Sequence, residues 1–228
     1  MLTIRGLGKR FGDLTVFDAF DFSMKDGEFV AIVGPSGSGK TTLLNLVAGL
    51  SRPTGGTIDR PDMRVGYVFQ EDRLFPWLTL EENIRIVGAS DDKDEARRLI
   101  SLVGLDGFES YYPDELSGGM RQRASIARAY YYRANLLLMD EPFSALDYAL
   151  RQEMLRTLLS VRREREAGVL FVTHHVADAL MVASRIVVLS ALPARIVTEC
   201  ELGPTSRLRD IREPRLQSVH GKILNALN

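Results

Sequence analysis

Residues Gly34-Pro35-Ser36-Gly37-Ser38-Gly39-Lys40-Thr41 lie between a short apolar run, Phe29 to Val33, and a stretch whose apolar residues, Leu43, Leu44 and Val47, fall at helical spacing. That arrangement leaves little choice of local fold. A buried strand ends at Gly34, the chain turns at once, and a helix starts near Gly39 and closes near Gly49. Every fixed position of G-x-x-x-x-G-K-[ST] is filled. Glycines let the backbone wind tightly enough for its N–H groups to point inward. The helix adds unpaired N–H groups and the positive end of its dipole. The resulting cradle suits a chain of phosphates. Lys40 would reach the β- and γ-phosphates of a nucleotide, and the Thr41 hydroxyl would ligate Mg²⁺. The loop by itself does not say how the nucleotide is used.

Further apolar runs follow at Val65–Phe69, Leu136–Met139, Val169–Thr173 and Ile186–Leu189, each short enough for a buried strand. Upstream, Phe20, Phe22 and Met24 alternate with polar residues, predicting a half-buried strand with a turn at Asp26-Gly27. Helical spacing appears at Ala96, Leu99, Ile100 and Val103, closed by Gly104, and at Leu150, Met154, Leu155 and Leu158 in a helix expected to run to Gly168. Strands alternating with helices predict an α/β fold with a mainly parallel sheet. Residues 72–133 read as a mostly helical insertion, and the last 26 or so residues as peripheral. The run Arg162-Arg163-Glu164-Arg165-Glu166 reads as a solvated helix face. Tyr130-Tyr131-Tyr132 is expected to pack between the helical and core parts.

Composition narrows the function classes. With 29 Lys+Arg against 30 Asp+Glu in 228 residues, the net charge of −1 gives no bulk attraction to nucleic acid. Hydrophobic residues at 45% are enough for a sizeable core and argue against a disordered chain. A single cysteine, Cys200, excludes a disulfide framework and a multi-cysteine zinc site. No apolar run approaches the roughly 18–20 residues of a bilayer span, and the N-terminus has no signal-peptide pattern.

Two further motifs carry chemistry. Asp140-Glu141 closes the run Leu136–Met139, at the end of a buried strand, where open α/β sheets bind ligands. Asp140 could hold Mg²⁺ through water, and Glu141 could activate a water against the γ-phosphate. A solvated pair of loop acids is the plainer reading, made less natural by the phosphate loop upstream. Leu116-Ser117-Gly118-Gly119-Met120 precedes a helical stretch, with Ser117 as N-cap and Gly118 and Gly119 exposing backbone N–H groups. It is either a simple capped helix or a second anion site. One nucleotide has one terminal phosphate, so a second anion site points to a nucleotide shared between two copies of the chain.

In this order the motifs resemble those of the ATP-binding subunit of ABC transporters, over essentially the whole chain. Gly34–Thr42 is similar to the phosphate loop, and Gln70, ending Val68-Phe69-Gln70, to the Q-loop glutamine. Leu116–Met120 with Arg121-Gln122-Arg123 resembles the signature motif, with Met120 where glutamine is commonest. Leu136–Phe143 resembles the Walker B segment, Ser144-Ala145-Leu146-Asp147 the D-loop, and Val172-Thr173-His174 the switch histidine, here followed by a second histidine, His175. The resemblance implies a P-loop NTPase core with a small antiparallel β subdomain, over about 1–71 and 134–205. An α-helical subdomain is inserted at about 72–133, and a peripheral tail covers about 206–228. It implies ATP and Mg²⁺ as cofactors and a head-to-tail dimer. ATP would lie on Gly34, Pro35, Ser36, Gly37, Ser38, Gly39, Lys40, Thr41 and Thr42 of one copy and on Ser117, Gly118 and Gly119 of the other. Phe11 would stack on adenine and Asp147 would bridge the copies. Glu141 would be the general base, His174 and Lys40 would hold the γ-phosphate, and Gln70 would sense Mg²⁺, held with Thr41 and Asp140.

Phe69–Thr79, Met120–Arg123 and Val188–Arg195 further resemble the nitrate, sulfonate and taurine importer group, although relatives usually carry glycine at the position of Ala194. The expected partners are integral membrane permease subunits and, through them, a periplasmic or extracellular solute-binding protein. The expected place is the cytoplasmic face of the cell membrane, and no nucleic acid is expected. A soluble ABC-type ATPase acting on DNA or ribosomes is the alternative, and a small-molecule P-loop kinase would leave Leu116–Met120, Asp147 and His174 unexplained.

Overall fold

The computed structural model describes residues 1–61, 63–88, 91–144 and 146–227, apart from the side chain of Arg165. Ala145 of the D-loop segment therefore lies outside the described residues. Two sheets organise the chain. Strands β1 (Leu2–Phe11), β2 (Leu14–Met24) and β4 (Gly55–Asp59) form an antiparallel sheet in the order β2-β1-β4. Strands β3 (Phe29–Val33), β5 (Val65–Val68), β6 (Leu136–Asp140), β7 (Gly168–Val172), β8 (Arg185–Leu189) and β9 (Ile196–Glu201) form the second, in the order β5-β6-β7-β3-β8-β9. Its first five strands are parallel and β9 joins antiparallel.

The apolar runs have a simple cause. β3, β6, β7 and β8 are buried at every position, because layers cover both faces of the sheet. Successive β3 residues face opposite cores. Val30 and Ile32 join a core with β1, β2 and helix α1 (Lys40–Ala48). Phe29, Ala31 and Val33 join the larger core on the other side. That side holds α5 (Tyr148–Arg165), α6 (Val176–Val182) and α7 (Pro214–Leu227). Between β5 and β6 the chain forms α2 (Leu80–Arg85), α3 (Lys93–Leu102), a short 3-10 turn at Pro113–Glu115, and α4 (Gly118–Tyr131).

Some local expectations shift. Helix α5 stops at Arg165, with Glu166 in the left-handed region at φ 50°, and Gly168 already begins β7. Arg162 does not belong to a solvated face. Its guanidinium packs 5.6 Å from the Phe29 ring centre and donates to the Gly27 carbonyl, and burial lowers its pKa. Arg163 and Glu164 are exposed as expected. Tyr130 and Tyr131 are buried while Tyr132 is 40% exposed. The C-terminal stretch ends in α7, which packs Leu216 and Ile223 against α6, β8 and β9.

Candidate nucleotide-binding site

β6, β7 and β3 are adjacent and parallel, so their C-terminal ends meet on one edge. That edge gathers Asp140 from β6, Thr173-His174 after β7, and the phosphate loop after β3. The loop enters α1 through Gly39 at φ 87°, and the helix closes on Gly49 at φ 79°. Both are conformations that glycine adopts without strain. A side chain at Gly39 would also meet Val16 Cγ1 at 2.6 Å, so β2 clamps the loop from above.

Lys40 is 6% exposed. Its Nζ donates to the carbonyls of Gly34 at 2.9 Å and Pro35 at 2.8 Å, and lies 3.4 Å from Ser38 Oγ. Burial lowers the Lys40 pKa, opposed by the charges of Glu141 and Asp140. Thr41 Oγ1 donates to Asp140 Oδ1 at 3.0 Å, tying the loop to the end of β6. Burial raises the Asp140 pKa, the Thr41 hydrogen bond opposes the rise, and Glu141 adds to it.

Glu141 has φ 45°, a region few side-chain-bearing residues adopt. Its N–H donates to the Val172 carbonyl at 2.9 Å, which continues the β6–β7 ladder past the end of the strand. The strained turn lets Asp140 and Glu141 face different parts of the edge, and strain of this kind tends to collect at functional sites. Glu141 Oε2 lies 2.7 Å from His174 Nδ1. The His175 ring lies 4.0 Å from the His174 ring with the planes tilted by 44°, and His175 is the half-buried N-cap residue of α6, without a side-chain cap bond. Burial, and then the charge of His174, lower the His175 pKa.

A cleft of about 400 Å³ is lined by Phe11, Leu14, Val16, Ser36, Gly37, Ser38, Gly39, Lys40, Thr41, Thr42, Glu141 and Leu192. Phe11 and Leu14 are each 53% exposed at its mouth, an apolar wall fit for a flat base. A second cleft, of about 730 Å³, lies on the other side of Thr41 and Asp140 and includes Gln70, Tyr67, Phe69 and Asn45.

Other motif residues sit elsewhere. Ser117 is exposed and accepts the Met120 N–H at 3.3 Å as N-cap of α4. Neither it, Gly118 nor Gly119 lines these clefts. Asp147 is exposed and caps α5, accepting the Leu150 N–H at 2.9 Å. A Cβ on Gly119 would lie 2.9 Å from Leu150 Cδ2, so the two helix starts pack closely. Sequence reasoning missed Tyr67, Asn45, Leu14 and Leu192. Tyr67 sits within an apolar strand run and gives no signal distinct from core packing.

Among the described residues no group of three or more His, Cys, Asp or Glu could hold a metal ion. What converges is one hydroxyl and one carboxylate, Thr41 and Asp140, 3.0 Å apart beside the phosphate cradle. Hard oxygen donors, few in number and next to phosphates, are what Mg²⁺ uses. The residues fit.

Residues 17–144 match the family model described as ABC transporter. An aliphatic sulfonates import ATP-binding protein SsuB of Bacillus cereus is 42% identical over 198 residues, covering 82% of this chain and 79% of the relative. Its counterpart in Pseudomonas savastanoi is 41% identical over 232 residues, covering 100% and 96%. The ATP-binding cassette MJ0796, solved as a dimer in a post-hydrolysis state with ADP and Pi, is 29% identical with a TM-score of 0.77, covering 90% of this chain and 100% of that one. With a phosphate cradle, a hydroxyl–carboxylate pair and a strained acid–histidine pair on one sheet edge, and with these relatives, the chain belongs to the ABC transporter family as an ATP-binding subunit.

Proposed function

We propose that this chain hydrolyses ATP as one half of a head-to-tail pair that powers import of a small anion, of the aliphatic sulfonate class or a related nitrate- or taurine-type solute. The named relatives support importer and solute class. One observation carries the paired arrangement. Lys40, Thr41, Asp140, Glu141 and His174 meet on one edge, while Ser117 and Gly119 face solvent or α5 away from it. A second copy would bring its Ser117 to the open side of the cradle.

In this reading the triphosphate lies on the loop N–H groups, with Lys40 exchanging its loop carbonyls for β- and γ-phosphate oxygens. Phe11 would carry the adenine. Mg²⁺, when bound, would neutralise phosphate charge, held by Thr41 and through water by Asp140, with Gln70 lining the same cleft. Glu141 would accept the proton of the attacking water, and His174, now on the Glu141 carboxylate, would turn to the γ-phosphate. Ser117, Gly118 and Gly119 would close the site from the partner copy and Asp147 would bridge the copies.

We assign residues of about 1–71 and 134–205 to the core with its β subdomain, about 72–133 to the helical subdomain and about 206–228 to the tail. Among the described residues no helix is long and apolar enough to cross a membrane. The chain would therefore reach the cytoplasmic face of the membrane through permease subunits, which in turn engage a solute-binding protein. Shortly after Gln70 in the sequence, Phe75 and Trp77 are exposed by 38% and 69%, with ring centres 5.4 Å apart. Tyr111, whose carbonyl accepts the Leu80 N–H, adds a further 41% exposed ring. The exposed Phe75–Trp77 pair fits a partner surface. Nothing at these surfaces favours the DNA- or ribosome-directed alternative.

The test is tagged purification from gently solubilised membranes, followed by uptake of a labelled short alkanesulfonate. A stoichiometric polytopic partner and ATP-dependent uptake lost in Glu141→Gln support the reading. Recovery only with soluble DNA-repair or ribosomal proteins refutes it.

A further inference from the structure

The larger cleft holds a group of residues that no motif accounts for. Tyr67 and Phe69 point to the same side of their strand segment, two residues apart, and their rings stack at 4.0 Å with planes 10° apart. The Arg73 guanidinium carbon lies 3.9 Å from the Phe69 ring centre. One face of Phe69 is already covered by Tyr67, so Arg73 covers the other. The three side chains form a sandwich along the cleft wall. Arg73 is held there at φ 46°, a strained backbone for a residue with a side chain.

Both ends of the sandwich are anchored. At the inner end the Tyr67 hydroxyl lies 3.3 Å from Asn45 Oδ1 on α1 and 3.5 Å from Asp140 Oδ2. Asp140 Oδ1 thus accepts the Thr41 hydroxyl, while the single Tyr67 proton is shared between Asn45 Oδ1 and Asp140 Oδ2. A phenol keeps its proton at neutral pH, so the Tyr67 hydroxyl can donate there. At the outer end, residues 69–73 are strapped to α4. Arg128 donates to the carbonyls of Arg73 at 2.9 Å and Asp72 at 3.1 Å. Ser125 donates to the Asp72 carbonyl at 2.7 Å, and Arg121 pairs with the Asp72 carboxylate at 2.8 Å. α4 is the helix that Ser117 caps.

We propose that Tyr67 is a positioning residue for Asp140, and that the Tyr67–Phe69–Arg73 sandwich fixes the rotation of that carboxylate to the placement of α4. The Tyr67 hydroxyl turns Oδ1 toward Thr41, where a divalent cation would sit. Partners that orient a metal-binding carboxylate commonly govern metal affinity as strongly as tenfold or more. The proposal rests on the nucleotide site described above.

The test uses the full chain, a fluorescent ATP analogue and a Mg²⁺ titration of analogue affinity, alongside thermal melts. Tyr67→Phe keeps the ring stack and removes the hydroxyl. It should raise the Mg²⁺ concentration at half-effect by about 10-fold, with the metal-free affinity unchanged and a cooperative melt retained. Arg73→Met should move the same midpoint in the same direction by less. In the Tyr67→Phe background it should add nothing, because both changes act through one hydroxyl. A wild-type midpoint in Tyr67→Phe overturns the positioning role. An Arg73→Met effect that persists in full in the double variant overturns the link through the sandwich. If the parent chain binds no analogue at all, the nucleotide-site reading fails and takes this proposal with it.

Discussion

Asp178 gives the sharpest stability prediction. It sits in the first turn of α6, four residues after His174, and is 4% exposed. Its Oδ2 is buried without a hydrogen-bond partner, and the nearest cation, Arg151 Nη1, is 3.7 Å away. Burial raises its pKa from 3.8 to about 6, although Arg151 and His174 pull the other way. An acid whose folded pKa is raised binds its proton more tightly in the folded state. The cost of ionising it is absent below pH 3.8, grows between 3.8 and about 6, and is complete above. The difference of 6 − 3.8 = 2.2 pKa units corresponds to about 3 kcal/mol. Asparagine keeps the shape and cannot ionise. Asp178→Asn should match the parent at pH 4 and be more stable by about 3 kcal/mol at pH 7.5, or roughly 6–12 °C in melting temperature for a domain of this size. Urea unfolding at several pH values would measure it. Equal stability at every pH, or a less stable variant at pH 7.5, refutes the reasoning.

Other predictions follow from particular contacts. Arg185, 8% exposed, donates to Glu28 at 2.7 Å, to Glu199 at 2.6 Å and to the Ser23 carbonyl at 2.6 Å. Arg185→Ala leaves Glu28 without its cation and should cost about 3–5 kcal/mol in urea unfolding. Gly39→Ala adds a Cβ 2.6 Å from Val16 Cγ1 at φ 87°, and should destabilise by at least about 1 kcal/mol while weakening ATP-analogue binding. Phe11→Ala should raise KM for ATP with kcat nearly kept, since a stacked base gives uniform binding.

The fold was most legible where burial is uniform. The apolar runs of β3, β6, β7 and β8 give themselves away because both sheet faces are covered. β1 was harder to read, because irregular register around Gly6 and Gly8 breaks its alternation. β4, mostly exposed, offers only Ile58 as an apolar residue, too little for a pattern. The phosphate loop and Asp140 could be placed because each needs a specific element boundary, a strand end or a helix start. Tyr67 and Asn45 could not, since their roles come from side chains that meet only after β5 and α1 are packed together. The helical stretch at Arg162 looked solvated because a charge run carries no sign of the Gly27 carbonyl it meets in the fold.

If ATP is held between two copies, size-exclusion chromatography with light scattering on Glu141→Gln, with and without ATP and Mg²⁺, will show it directly. ATP should double the mass of the 25.5 kDa chain. Ser117→Arg should abolish that doubling while each chain still binds ATP. A chain that binds ATP and stays single, or a dimer indifferent to Ser117→Arg, would contradict it.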